Sequence, residues 1–227
     1  MGARRAGALV RTERIGVDEA WALQRRLAEA RRAGTVPDVV WLLEHPPTYT
    51  AGRGGDRADL FLSDAELARR GARFLRIDRG GQLTWHGPGQ SVGYVVADLR
   101  PGRRVRGFVE ALVGAMADAA GLPGARAEAG SLGLYADGRK LGSVGIRVRA
   151  GITTHGLALN RDPDLAWFEL MTACGAPGVA ATSIAAEGGD PDRSRVEAAL
   201  AAALGDRLGL DLEPAALEDL LAGAPVA

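Results

Sequence analysis

Residues 137–160, DGRKLGSVGIRVRAGITTHGLALN, decide the fold class. Asp137-Gly138 lies between two apolar runs, and such a dipeptide supplies the positive φ angles that a two-residue hairpin turn requires. The run that follows alternates to about Arg149, turns at Ala150-Gly151, and returns through residues 152–159. Strict alternation puts Lys140 on one side with Gly142, Val144, Ile146 and Val148, and Arg147 and Arg149 on the other. Lys140 is thereby expected to begin an apolar face. An inward lysine is costly unless it meets an anion or loses its proton. At the frayed start of a strand it could equally extend to water.

Outward from this hairpin, the pattern mixes strands and helices irregularly. Asp18 is the expected N-cap of a helix whose apolar positions Ala20, Leu23, Leu27 and Ala30 recur until Gly34. Val39 to Leu43 reads as a buried strand, stopped by Pro46-Pro47. Residues 51–59 read as a flexible loop. Ser63 with Glu66 forms a capping box for a short helix. Strands are expected at 74–77 and 91–98, and a long helix runs through Phe108, Leu112, Ala115 and Ala119 to Gly121. Helices are expected near 193–208 and 214–222, with Pro214 in the first turn of the latter. With no linker and no internal repeat, residues 1–227 read as a single α+β domain. Its sheet is mixed and largely antiparallel, with flanking helices.

Composition narrows the function. Of 227 residues, 28 are Lys or Arg and 28 Asp or Glu, so the net charge is zero. That balance argues against nucleic acid as the main partner. One cysteine, Cys174, rules out an intrachain disulfide framework. No apolar run is long enough to span a membrane, and the arginine-bearing N-terminus lacks the apolar stretch of a signal peptide. A cytoplasmic location is expected, with no metal and no cofactor. A site made of His45, His86 and His155 is disfavoured because their spacings match no metal motif.

Chemistry concentrates in three places. Residues 79–90, RGGQLTWHGPGQ, place four glycines and a proline around Arg79, Thr84, His86 and Gln90. Such a stretch is suited to presenting backbone amides to a ligand or to making a tight bend between strands. Lys140 is the second place. The third is Cys174-Gly175 in MTACGAPG. A lone cysteine is commonly a small buried hydrophobe, yet Gly and Pro flank this one, and a nearby ammonium would lower a thiol's pKa.

Together these features resemble the octanoyltransferase family, the lipoyl(octanoyl) transferases or lipoate biosynthesis protein B. The likeness runs from LLEHPPTYTAGR at 42–53, through residues 79–90 and 138–160 and the Cys174-Gly175 pair, to TSI at 182–184. It implies the fold of the biotin/lipoate protein ligase catalytic domain. It also implies that Cys174 carries an octanoyl thioester, with Lys140 lowering its pKa and acting as acid and base. Arg79, Gly80, Gly81, Gln82, Leu83, Thr84, Trp85 and His86 are implied to line the acyl site. Ser143, Val144 and Gly145, and Gly156, Leu157 and Ala158, complete that lining. Ala173 stands where the family usually has Pro.

The implied donor is octanoyl-acyl carrier protein. The implied acceptors are lipoyl domains of 2-oxoacid dehydrogenase complexes and the glycine cleavage H protein, served by a monomeric enzyme. Glycines 142, 145 and 156 are expected to leave room for an acyl tunnel. The alternatives are an ATP-dependent lipoate or biotin protein ligase, which would not need Cys174, and a non-catalytic medium-chain acyl-binding module. A thiol hydrolase is disfavoured by the order of Cys174 and His155.

Overall fold

The computed structural model describes residues 4–100, 102, 104–128, 132–172 and 179–222. Its strands are β1 (Arg5–Arg14), β2 (Asp38–Glu44), β3 (Thr48–Ala51), β4 (Arg73–Arg76), β5 (Leu83–His86), β6 (Gln90–Val96), β7 (Ala125–Ala127), β8 (Gly133–Ala136), β9 (Arg139–Arg149), β10 (Ile152–Asn160) and β11 (Leu210–Pro214). Its helices are α1 (Val17–Ala33), α2 (Asp64–Arg69), α3 (Val105–Ala120), α4 (Ala166–Glu169), α5 (Arg193–Leu208) and α6 (Leu217–Ala222). The main sheet has the order β11-β1-β2-β6-β10-β9-β8-β7, and a second sheet has the order β4-β3-β5. The β11-β1-β2 pairings are parallel and the rest of the main sheet is antiparallel. The fold is thus α+β with a mixed sheet.

Both hairpin turns form where the sequence places them. Asp137 and Gly138 have φ of 47° and 75°, and Ala150 and Gly151 have φ of 48° and 81°. Glycine bears such angles freely, whereas Ala150 is held there against its side chain's preference. The β9–β10 hairpin then pairs β10 with β6 and closes the centre of the sheet.

Alternation along the strands divides the core between the sheet's two faces. Val40, Leu42, Val95, Leu157 and Leu159 pack under α3 and α5. Val39, Trp41, Leu43, Val92, Tyr94 and Ala158 face the other way, toward α1. Each large side chain fully withdrawn from water contributes about 1.5–3 kcal/mol, which makes α1 and α3 the main anchors of the sheet. The smaller sheet has its own core of Tyr49, Leu83 and Trp85 against Trp167 and Phe168. Trp85 stacks on Trp167 with ring centroids 5.9 Å apart.

Several local expectations need correction. Helix α1 starts at Val17 behind Gly16, with no side-chain cap. Asp18 sits in its first turn and pairs with Arg73, 3.0 Å away, where a carboxylate also suits the positive end of the helix dipole. Pro214 ends a strand rather than starting a helix, because β11 pairs in parallel with β1. Residues 51–59 are not one irregular loop: Ala51 belongs to β3, and a 3-10 turn at Arg57–Asp59 is capped by Asp56. Among the described residues no helix is long and apolar enough to cross a membrane.

Candidate active site

A cleft of about 640 Å³ opens between the two sheets. The main sheet contributes Val92, Tyr94, Ser143, Val144, Gly145, Gly156, Leu157 and Ala158. The glycine-rich stretch and β5 contribute Arg79, Gly81, Gln82, Thr84 and His86. Lys140 lies in the same wall and also lines a narrow side pocket of about 30 Å³ with Thr84, Gln90, Asn160, Met171 and Val179.

Lys140 reaches the cleft by a route that alternation alone does not reveal. The β8–β9 register runs Leu134↔Gly142 and then Tyr135↔Lys140, leaving Leu141 as the extra residue of a bulge. A bulge resets which side chains share a face. Leu141 takes the buried place beneath α3 with Val144 and Ile146, while Lys140 joins Ser143 and Gly145 on the cleft wall. The expectation that Lys140 shares a face with Val144, Ile146 and Val148 is therefore corrected. Its Nζ lies 5.8 Å from the Tyr135 ring centroid. Among the described residues its ammonium has no ion-pair partner. Its backbone is clamped on the other edge, since Lys140 N–H donates to Ala180 O at 2.8 Å and Thr182 N–H donates to Lys140 O at 2.9 Å.

Strand alternation also sorts the 79–90 stretch. Thr84 and His86 face the cleft, whereas Leu83 and Trp85 point into the smaller sheet's core and do not line it. Gly80 packs behind the wall and donates its N–H to Ile146 O at 2.9 Å. Carbonyls of this stretch accept N–H groups from Gly52, Arg53 and Gly54 at 3.0–3.1 Å. The glycines thus serve close backbone packing: a Cβ on Gly52 would lie 2.4 Å from Gly81 O. Arg79 is held by Thr50, with Nη2 donating to Oγ1 at 2.9 Å, and by Gly80 O at 3.0 Å from Nη1.

None of the three glycines expected to leave space opens a tunnel: a Cβ on Gly145, in the cleft wall, would meet Gly80 O at 3.1 Å and Arg79 Cδ at 3.2 Å. Gly142 faces the core under α3, where a Cβ would meet Met116 Sδ at 2.7 Å. Gly156 lines the cleft but is required by the sheet, because a Cβ there would sit 2.0 Å from Gly93 O.

The histidines gather around Tyr94 and are all buried. His45 Nδ1–H donates to Ile15 O at 2.7 Å, so its Nε2 accepts from the Tyr94 hydroxyl at 2.6 Å. His86 Nδ1–H donates to Gln90 Oε1 at 2.7 Å. Gln90 donates onward to Asn160 Oδ1, and Asn160 to Thr182 O, each at 2.9 Å. Thr182 in turn holds the Lys140 backbone, so a hydrogen-bonded chain links His86 to the strand that carries the lysine. His155 has φ of 61°, in the left-handed region that side-chain-bearing residues adopt uncommonly, and its Nε2–H donates to Asp78 Oδ1 at 2.8 Å. Burial above all holds these rings neutral, lowering His45 to about 4 and His86 and His155 to about 3. Among the described residues no three His, Cys, Asp or Glu side chains are grouped to hold a metal ion.

Cys174, with Ala173 and Gly175 beside it, lies outside the described residues. The chain on its two sides is described: Met171, three residues before it, and Val179, five after it, line the side pocket that holds Lys140. Sequence reasoning missed Tyr94, Tyr135 and His155 as cleft residues. The signal for Tyr135 was present, because a two-residue turn at Asp137-Gly138 pairs Ala136 with Arg139 and Tyr135 with Lys140.

A family profile for the lipoyl protein ligase A/B catalytic domain matches residues 17–205. An octanoyltransferase of Aromatoleum aromaticum is 46% identical over 168 residues, covering 73% of this chain and 70% of that protein. One from Chloroflexus aggregans is 42% identical over 199 residues, covering 84% and 89% respectively. Among solved structures, a lipoate-protein ligase A bound with ATP superimposes with a TM-score of 0.73 at 14% identity, covering 96% of this chain and 93% of that one. The biotin protein ligase of Aquifex aeolicus, in complex with biotin and ATP, does so with a TM-score of 0.55 at 13% identity, covering 88% and 70%. At such identities these two likenesses establish the shared fold.

Proposed function

This chain belongs to the octanoyltransferase family, and on that premise we propose that it carries an octanoyl group from octanoyl-acyl carrier protein to a lipoyl-domain lysine by way of a thioester on Cys174. The observation that carries this reading is the side pocket: Lys140 lies in it together with Met171 and Val179, the residues that bracket the cysteine segment.

In the first half-reaction the Cys174 thiolate attacks the donor's thioester carbonyl. The tetrahedral intermediate collapses, the C–S bond to the pantetheine breaks, and the Lys140 ammonium protonates the departing thiolate. Lys140 is then neutral. In the second half-reaction the acceptor lysine's amine attacks the enzyme thioester, Lys140 takes its proton, and the Cys174 thiolate leaves. The cycle consumes no ATP, because a thioester is already activated. Proton transfer by a positioned side chain contributes typically 10²–10⁴-fold, and covalent catalysis divides one difficult step into two. The acyl chain occupies the apolar part of the cleft along Val92 and Ala158. The acceptors we propose are the lipoyl domains of 2-oxoacid dehydrogenase complexes and the glycine cleavage H protein, and the enzyme acts as a cytoplasmic monomer.

Intact-protein mass spectrometry after incubation with octanoyl-carrier protein tests the reading. One octanoyl adduct is expected on the wild type and none on Cys174→Ser, with transfer lost in that variant. Retained activity in Cys174→Ser with free octanoate and ATP would instead identify an ATP-dependent ligase. Octanoyl binding without an adduct would identify a binding module.

A further inference from the structure

Asp78 stands where two cavities meet. On one side lies the cleft. On the other is a groove of about 450 Å³ lined by Arg25, Arg32, Arg147 and Arg149 among others. Asp78 and Arg147 line the groove, and His155 lines the cleft. The Asp78 carboxylate accepts from His155 Nε2–H at 2.8 Å, from Trp21 Nε1–H at 2.9 Å, and from the Arg147 guanidinium. These donors come from β10, α1 and β9. Side-chain exposure rises through the wall, from 3% at His155 to 25% at Asp78 and 33% at Arg147.

The wall's position along the sheet gives it a meaning. Ser143 pairs with Ala158 beside Lys140, and Ile146 pairs with His155 at the wall. Three residues of strand separate the two rows, or about 10 Å at the ordinary rise. That is the length scale of an extended eight-carbon chain. An alkyl tail that starts at Lys140 and follows the sheet therefore ends against His155.

We propose that the Asp78–Arg147–His155 latch is the length stop of the acyl cleft. The proposal rests on the cleft holding the acyl chain with its reacting carbonyl at Lys140. A longer tail must push apart an ion pair and a hydrogen-bonded imidazole, leaving the buried His155 ring without its acceptor. Behind the latch the groove offers room for more carbons. Opening the latch therefore removes the penalty on longer chains.

The test compares octanoyl-, decanoyl- and dodecanoyl-carrier protein as donors to a lipoyl domain, measuring kcat/KM for each with the wild type, Asp78→Ala and Arg147→Ala. The wild type is expected to fall off beyond eight carbons. Both variants are expected to raise the dodecanoyl-to-octanoyl ratio at least tenfold, and Arg147→Lys, which keeps a cation opposite Asp78, to retain the wild-type ratio. Folded variants with an unchanged ratio, whatever their overall rate, overturn the proposal. If Asp78→Ala fails to fold, Arg147→Ala at its partly exposed position decides alone. A wild type that forms no acyl adduct from any donor instead defeats the proposed function on which this rests.

Discussion

The two ends of the cleft are built on opposite terms. At the His155 end the charges are matched: Asp78 receives three donors, the Arg147 guanidinium among them, and the imidazole is neutral. At the Lys140 end the side-chain ammonium has no ion-pair partner among the described residues, while the lysine's backbone is held firmly by Ala180 and Thr182. Matched charge makes an inert wall. The proposed proton transfer falls to the lysine on that fixed backbone. On the proposed reading, the matched end binds the acyl tail and the Lys140 end carries the chemistry.

Removing the unmatched cation should have the largest effect. Lys140→Ala is expected to slow both half-reactions by about 10²–10⁴-fold, the usual worth of a positioned acid or base, and to raise the pH midpoint of Cys174 alkylation by iodoacetamide. Single-turnover rates for acylation and deacylation check the first expectation. An identical alkylation midpoint in variant and wild type would show that Lys140 does not act on the thiol.

Acid should attack the matched end. His45, His86 and His155 titrate at about 4, 3 and 3 in the folded protein, below the ordinary 6.5. Between those values and 6.5 the unfolded chain binds the protons and the native state does not, so stability falls as pH falls through this window. Each ring contributes a slope of up to about 1.4 kcal/mol per pH unit, so the three together approach about 4. Denaturant melts at pH 7, 6 and 5 should show midpoints dropping with acid. A replacement of His155 that keeps the fold should flatten the curve.

How much of this was legible in the sequence follows the range of the forces involved. Turns at Asp137-Gly138 and Ala150-Gly151 were legible because their cause is local, as was the Ser63–Glu66 capping box. β1, β3 and β11 were not, because their partners lie far along the chain: β1 is completed by residues 210–214. The direction of Lys140 was not legible, since the Leu141 bulge that turns it to the cleft depends on pairing with β8. The resemblance brought forward the 79–90 stretch as a unit. Alternation within β5 then divides it, sending Leu83 and Trp85 to the core and Thr84 and His86 to the cleft.

His86 stands between the two ends, and its role can be separated from that of Lys140. Its Nδ1–H is committed to Gln90, and burial first, with the Arg79 charge adding to it, holds the ring neutral with a pKa of about 3. A general base is most effective when its pKa is near the working pH, so at neutral pH this imidazole is a weak proton acceptor. What it does hold is the Gln90–Asn160–Thr182 chain that ends at the Lys140 backbone. His86→Ala is therefore expected to cost about tenfold or less in kcat/KM, the scale of a lost hydrogen bond, without moving the Cys174 alkylation midpoint. A loss as deep as that of Cys174→Ser, confined to kcat, would make His86 the base and assign the matched side of the cleft to the chemistry as well.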